Sequence, residues 1–291
     1  MIAITGASGQ LGRLVIAELL KTLPAAEIVA AVRNPDQVQD LAACGVQVRQ
    51  ADYDQPATLL AAFEGVDKLL LISSNEVGRR LPQHRAVIEA AKSAGVKLLA
   101  YTSLLRADTS PLGLAAEHQT TEAFLQTAGL PFVLLRNGWY SENYLGSVPV
   151  ALQHGALIGS AGDGRIALAA RADFAAAAAA VLCRDNQAGL VYELAGDQSY
   201  SLAELAAEIA RQSGQTVVYQ NLPEADYTAA LVGAGLPEGL AGLLADADSC
   251  AARGALFDDS RQLSQLIGRP TTPIAPLVKA ALDALHNIPS E

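Results

Sequence analysis

The first twelve residues constrain this chain more than any other stretch. Residues 1–5 (Met-Ile-Ala-Ile-Thr) form a short apolar run, of the length expected for a buried parallel strand. The run breaks directly into Gly6-Ala7-Ser8-Gly9-Gln10-Leu11-Gly12, after which Leu14, Val15, Leu19 and Leu20 recur at helical spacing. Strand, glycine turn and helix in that order suit a dinucleotide pyrophosphate. Gly6 permits the tight turn, Gly9 lets backbone approach phosphate, and Gly12 lets the helix pack closely on the strand. The free N–H groups at the helix start then face the anion. Glycine supplies 24 of the 291 residues, so the spacing alone is weak. Its place between a first strand and a helix gives it meaning.

The balance of charge narrows the partners. Thirty acidic against twenty basic residues leave a formal charge of −10, with no basic block. Nucleic acid and anionic membrane both recruit clustered Lys and Arg, so neither is expected as a partner. Glu18 and Lys21 interrupt any early apolar run, and the apolar run 174–183 is about half a membrane span, so neither a secretory leader nor a spanning helix is expected. Cys44, Cys183 and Cys250 are odd in number and lack a C-x-x-C pair, which fits reduced thiols in a cytoplasmic protein. His84, His118, His154 and His286 are scattered, and no H-E-x-x-H occurs, so no metal is expected.

Beyond the first helix, strands and helices alternate. Residues 27–33, 46–51, 68–72, 96–101 and 132–135 read as further strands, with helices over 58–63, 84–94 and 114–128. This alternation predicts an α/β fold, a doubly wound parallel sheet of Rossmann type. After Tyr140 the alternation loosens. Asp173 reads as the cap of a helix to Leu182, residues 191–194 as a returning strand, and Ser201 with Glu204 as a capping box opening another helix. Residues 157–159 read as loop or short strand and 217–219 as a further strand, with helices over most of the remainder. The expected organisation interweaves two lobes. Residues 1–136 and about 170–196 form a dinucleotide-binding lobe, and about 137–169 and 197–291 a smaller, mostly helical substrate lobe.

Ligands in such sheets lie beyond the carboxyl ends of the strands. That places Ser73, Ser74 and Asn75 after the fourth strand, Thr102 after the fifth, and Asn137 and Tyr140 after the sixth, all beside the nucleotide. Arg33 stands at the tip of the second strand, where an acid would hold a free ribose 2′-hydroxyl and an arginine suits a 2′-phosphate. It favours NADPH over NADH, and Arg13 could add a second positive charge. Asp36 follows Pro35 and suits helix capping. Asp52 ends the third strand, where it either touches the adenine amine or closes a turn. Trp139 is expected in the core.

None of the eight tyrosines is followed four residues later by lysine, so the Tyr-x-x-x-Lys acid of alcohol-type short-chain dehydrogenases is absent. The chain resembles the atypical, NmrA-like branch of the short-chain dehydrogenase/reductase superfamily, and within it the bacterial type 2 NAD(P)H:quinone oxidoreductases. The resemblance rests on Thr-Gly-Ala-Ser-Gly-Gln-Leu-Gly from Thr5, Val-Arg-Asn-Pro from Val32 and Leu-Leu-Leu-Ile-Ser-Ser from Leu69. It continues with Tyr-Thr-Ser-Leu-Leu from Tyr101, Leu-Leu-Arg-Asn-Gly-Trp-Tyr-Ser-Glu-Asn-Tyr from Leu134 and Leu-Phe-Asp-Asp-Ser from Leu256, covering nearly the whole chain. It implies an NADPH-dependent reductase of quinones, with the Gly6–Leu11 loop, Arg33, the Ser73 region and the Asn137 region around the NADP cofactor.

With one nucleotide loop and no metal spacing, hydride is expected to pass directly to the quinone without a flavin. Asn137 is expected to position the nicotinamide or donate its amide hydrogen to the reacting oxygen, and Tyr140 to flank the flat quinone. Two departures separate the chain from much of the branch. His118 stands where many relatives carry lysine, and Asn137 where many carry proline. His118 is expected as a helix histidine bonded to Glu122 rather than as a proton donor. NmrA-like relatives include regulators, so a non-catalytic NADP(H)-binding redox sensor is the alternative.

Overall fold

The computed structural model describes residues 1–286 of the chain. Strands β1 (Ile2–Thr5) and β2 (Ile28–Val32) are buried along their whole length. A run such as Ile-Val-Ala-Ala-Val has no polar face, so it is stable as a strand only between two covering layers. With β3 (Gln47–Gln50), β4 (Lys68–Leu71), β5 (Leu98–Leu104), β6 (Phe132–Asn137) and, after β7 (Ala156–Gly159), β8 (Val191–Leu194), they form a seven-stranded sheet. Its order is β3-β2-β1-β4-β5-β6-β8 and every pairing is parallel.

The helices of this part are α1 (Gln10–Leu19), α2 (Gln39–Ala43), α3 (Pro56–Ala62), α4 (Arg80–Ser93) and α5 (Ala115–Ala128), then α6 (Glu142–Leu145), α7 (Val148–His154) and α8 (Arg171–Cys183). Successive residues of each strand serve opposite layers. Ile4, Ala30, Leu70 and Ala100 pack under α1 and α8, whereas Ala3, Val29, Leu69 and Leu99 pack under α3, α4 and α5. The small side chains of Ala175, Ala177 and Ala178 let α8 lie close beside α1. The chain leaves β1 toward β2 and β3, then returns to place β4 on the other side of β1. That reversal opens a crevice above the carboxyl ends of β1 and β4.

The remaining elements are α9 (Leu202–Ser213), β9 (Val218–Asn221), α10 (Glu224–Gly233), α11 (Glu238–Ala251), α12 (Gln262–Ile267) and α13 (Ile274–His286). β9 pairs in parallel with β7 in a separate two-stranded sheet. A second core gathers Trp139, Tyr144, Leu157, Leu205, Ile209 and Val278 around it. Ser201 caps α9 and exchanges two hydrogen bonds with Glu204, as the sequence spacing predicts.

Three local expectations need correction. Asp173 is not the cap of α8: Ala170 is, and the buried Asp173 carboxylate instead takes Arg269 at 2.7 Å and the backbone N–H of Thr272 at 2.7 Å. The 142–154 segment is helical rather than loose, forming α6 and α7. Strands β5 and β6 also run past Tyr101 and Leu135, because the next residues are paired across the sheet, Ser103 with Arg136 and Leu104 with Asn137. Polar side chains are tolerated there because they meet each other. Arg136 donates Nε and Nη2 to Glu122 at 3.0 and 2.7 Å and Nη1 to Glu193 at 2.9 Å, while Ser103 Oγ donates to Glu122 at 2.5 Å.

Gly12 sets how closely α1 meets the end of β1. A methyl on it would stand 2.5 Å from the Gly6 carbonyl oxygen and 2.7 Å from Ala7 Cα, both backbone atoms that cannot yield locally. Overpacking of this kind costs about 1–3 kcal/mol. Gly12→Ala should therefore lower the thermal midpoint by several degrees. Gly239→Ala on α11, where a methyl meets nothing within 4 Å, should not lower it. Calorimetry of the two variants checks this.

Candidate functional site

The crevice is a cleft of about 560 Å³. Its floor is the turn after β1, where Gly6 takes a φ of +59° that only glycine adopts without strain. Ser8, Gly9, Gln10, Leu11 and Gly12 continue along it into the first turn of α1. Ala7 is fully buried beneath, packed where a larger Gly12 would collide. At one end lie Arg33 from the tip of β2, Gln37, and Asp52, Tyr53 and Asp54 from beyond β3. On the other side run Ser73, Ser74, Asn75 and Glu76, with Arg171 from the start of α8.

Two expected neighbours of the cleft play narrower parts. Arg13 is held by Asp40 at 2.6 Å and by the Gln37 carbonyl at 2.9 Å, so its charge is engaged by α2 and it does not line the cleft. That ion pair draws the Asp40 carboxyl below its ordinary pKa. Asp52 faces the cleft, but its oxygens accept from the Asp54 N–H at 3.1 Å and from Gln55 Nε2 at 2.8 Å, closing its own turn.

The strap from Ser73 to Glu76 is bound on every side. Thr102 Oγ1 lies behind it and accepts from the Ser73 N–H at 2.8 Å. The Ser74 N–H donates to His84 Nε2 at 2.9 Å, its Oγ donates to Gln83 Oε1 at 2.6 Å, and its carbonyl accepts from Arg80 Nε at 2.7 Å. These bonds settle the histidine tautomers. His84 Nε2 accepts, so Nδ1 carries the proton and donates to Thr121 Oγ1 at 3.0 Å. Arg80 can only donate, so His118 Nε2 accepts from it at 3.1 Å and Nδ1–H donates to Tyr101 Oη at 2.8 Å. His118 is therefore not bonded to Glu122, whose carboxylate is occupied by Arg136 and Ser103.

Behind Arg171 lie the last residue of β6 and the residues that follow it. Asn137 is buried, and its Oδ1 is among the buried side-chain oxygens without a hydrogen-bond partner among the described residues. Tyr140 is packed edge-on against Phe174 at 5.1 Å, and the Arg171 guanidinium lies over its ring at 4.9 Å. Burial raises the Tyr140 phenol above its ordinary pKa, against the opposing pull of the Asn137 side chain, so it remains a donor at neutral pH. Neither Asn137, Tyr140 nor Thr102 lines the cleft surface itself; Tyr140 reaches it through Arg171. Trp139 turns into the second core.

A family model described as NAD(P)H-binding matches residues 6–185. The chain belongs to the NmrA-like NAD(P)H-binding family. Quinone oxidoreductase 2 of Escherichia coli (strain K12) is 64% identical over 275 residues, spanning 94% of this chain and 96% of that protein. The crystal structure of NADPH-dependent quinone oxidoreductase QOR2 from Escherichia coli with NADPH matches at a TM-score of 0.95 and 62% identity, covering 97% of this chain and 100% of that one. The Citrobacter sp. triphenylmethane reductase complexed with NADP(H) matches at 0.92 and 39%, covering 97% and 100%.

For a member of this NAD(P)H-binding family, sequence reasoning missed several residues of the cleft, among them Tyr53, Glu76, Gln83 and Arg171. Arg171 did leave a trace: a cation in the first turn of a helix opposes the macrodipole, which marks it as placed for something else. No helix among the described residues is long and apolar enough to cross a membrane. No group of three His, Cys, Asp or Glu among them could hold a metal ion.

The two buried histidines make stability depend on pH. Burial, and then the Arg80 charge, push both His84 and His118 down to about 3. Below pH 6.5 the unfolded chain binds protons on both rings, whereas the folded chain does so only near pH 3. Their contribution is complete above 6.5 and is lost as pH falls, by about 2 kcal/mol per ring at pH 5. Urea midpoints should drop between pH 7 and pH 5, and less steeply in His84→Gln.

Proposed function

We propose that this chain is an NADPH-dependent quinone reductase in which hydride passes directly from the nicotinamide to the quinone. The observation that carries this reading is the 64% identity to quinone oxidoreductase 2 across 94% of the chain. The residues fit the nucleotide. Gly6 takes the positive φ that the turn needs, Gly12 lets α1 start tight against that turn, the first turn of α1 opens onto the cleft, and Asn137 keeps a buried acceptor free at the end of β6. Bound NADPH supplies the hydride from its nicotinamide.

The chain's own residues divide the remaining work. Backbone N–H groups at the start of α1 hold the pyrophosphate, and Arg33 pairs with the 2′-phosphate. The Ser73–Glu76 strap covers the nucleotide's middle, with Asp52 at the adenosine end. Asn137 positions the nicotinamide or donates its amide hydrogen to the reacting oxygen, and Tyr140 flanks the flat quinone and donates a hydrogen bond to it. Residues 1–136 and about 170–196 form the nucleotide lobe, and about 137–169 and the described residues from 197 to 286 the substrate lobe.

This set suffices for a quinone where it would not for a ketone. Hydride on a ketone leaves an alkoxide with a basicity near that of hydroxide, pKa about 15.7. Hydride on a quinone leaves a phenolate, near tyrosine's value of about 10. The difference of roughly six units is about 8 kcal/mol less charge to stabilise. A few preorganised donors then replace the missing Tyr/Lys acid.

Purified, flavin-free protein should oxidise NADPH only when a simple benzoquinone is added, and should keep that activity in a chelator. A requirement for bound flavin overturns direct transfer. Arg33→Ala should weaken NADPH by about 1–3 kcal/mol, the range for a charge-assisted bond, and leave NADH nearly untouched. Asn137→Ala should lower kcat about 10²-fold, the lower range for losing one preorganised donor, with little change in NADPH affinity. Stopped-flow turnover and fluorescence titration separate these effects.

A further inference from the structure

Arg33 does not face an open phosphate site. Its side chain is 74% exposed and its Nη1 lies 3.5 Å from Glu76 Oε1, an acid carried by the strap after β4 on the other side of the cleft. Glu76 is not free to swing away. Its Oε2 accepts from Arg79 Nη1 at 2.9 Å and from Gln83 Nε2 at 3.0 Å, and Arg79 is itself held by Asp54 at 3.0 Å. The carboxylate is thus anchored through one oxygen and presents the other to Arg33. Around this mouth Arg33 and Arg79 are matched by Asp54 and Glu76, with Asp52 a further acid, so the adenosine end is not basic.

The two facing side chains favour different nucleotides. A 2′-phosphate gains the Arg33 pair but meets the fixed Glu76 carboxylate at the same place, and like charges at a few ångströms repel. A free 2′-hydroxyl has a proton to donate, and a carboxylate is the group that accepts it. We propose that Glu76 is a specificity-determining residue of the nucleotide site, which trims the preference for NADPH that Arg33 creates and provides an acceptor for the ribose of NADH. The proposal rests on the reading of the cleft as an NADPH site with Arg33 at the 2′-phosphate.

Dissociation constants for NADPH and NADH, measured by nicotinamide fluorescence on the purified protein, test it without reference to turnover. Glu76→Gln keeps an oxygen for Arg79 and Gln83 and removes only the charge. It should tighten NADPH by roughly three- to tenfold, the effect of one partly exposed charge, while NADH binding stays the same or weakens. In an Arg33→Ala background the same substitution should tighten NADPH less, because the pair that Glu76 competes for is gone. Unchanged NADPH affinity in Glu76→Gln overturns the proposal. Equal weakening of both nucleotides also overturns it, since Glu76 would then only prop the strap. A wild-type protein that binds neither nucleotide overturns the reading of the site beneath it.

Discussion

One buried cation fixes the carboxyl edge of the sheet. Arg136, next to last in β6, forks onto Glu122 of α5 and reaches Glu193 of β8, and these acids hold its pKa above the ordinary arginine value. Arg136 and Glu122 side chains are about one-tenth exposed or less, so either charge left alone would cost several kcal/mol. Helix α5 and strands β6 and β8 therefore keep one register, and Ser103 of β5 is bonded into the same group. Asn137 follows Arg136 directly, and Tyr140 lies three residues on. The end of β6 and the residues that follow it inherit their position from this ion pair.

The parts of this fold legible in the sequence are those whose cause is local. The turn from Gly6 to Gly12 needs glycine for reasons contained within seven residues, and Ser201 with Glu204 caps α9 within one helical turn. The short, almost wholly apolar runs of β1, β2 and β4 declare a buried parallel sheet. What was not legible depends on partners far along the chain. Asp173 looks like a cap until its carboxylate finds Arg269 and Thr272, about a hundred residues later. His118 looks like a partner for Glu122 until Arg136 claims that acid from another strand. Residues 157–159 read equally as loop or short strand until β9, about sixty residues on, pairs with them.

The electrostatics of the cleft are local as well. A chain with a formal charge of −10 offers no long-range attraction to an anionic nucleotide. What the cleft offers instead is local: backbone N–H groups at the start of α1 and individual side chains whose charges are balanced within a few ångströms. Such interactions decide which anion fits and where, and they leave the rest of the surface free to remain acidic.

The strap beside the cleft is held before any nucleotide arrives. Ser74 alone is anchored through its N–H, its carbonyl and its hydroxyl, by three residues of α4. Ordering four loop residues upon binding would cost about 4–8 kcal/mol of backbone conformational entropy. Here that ordering belongs to the folding reaction, where neutral His84 and the buried Arg80 hold it in place. This wall of the cleft is a preformed surface, and anything that binds against it meets residues already ordered by folding.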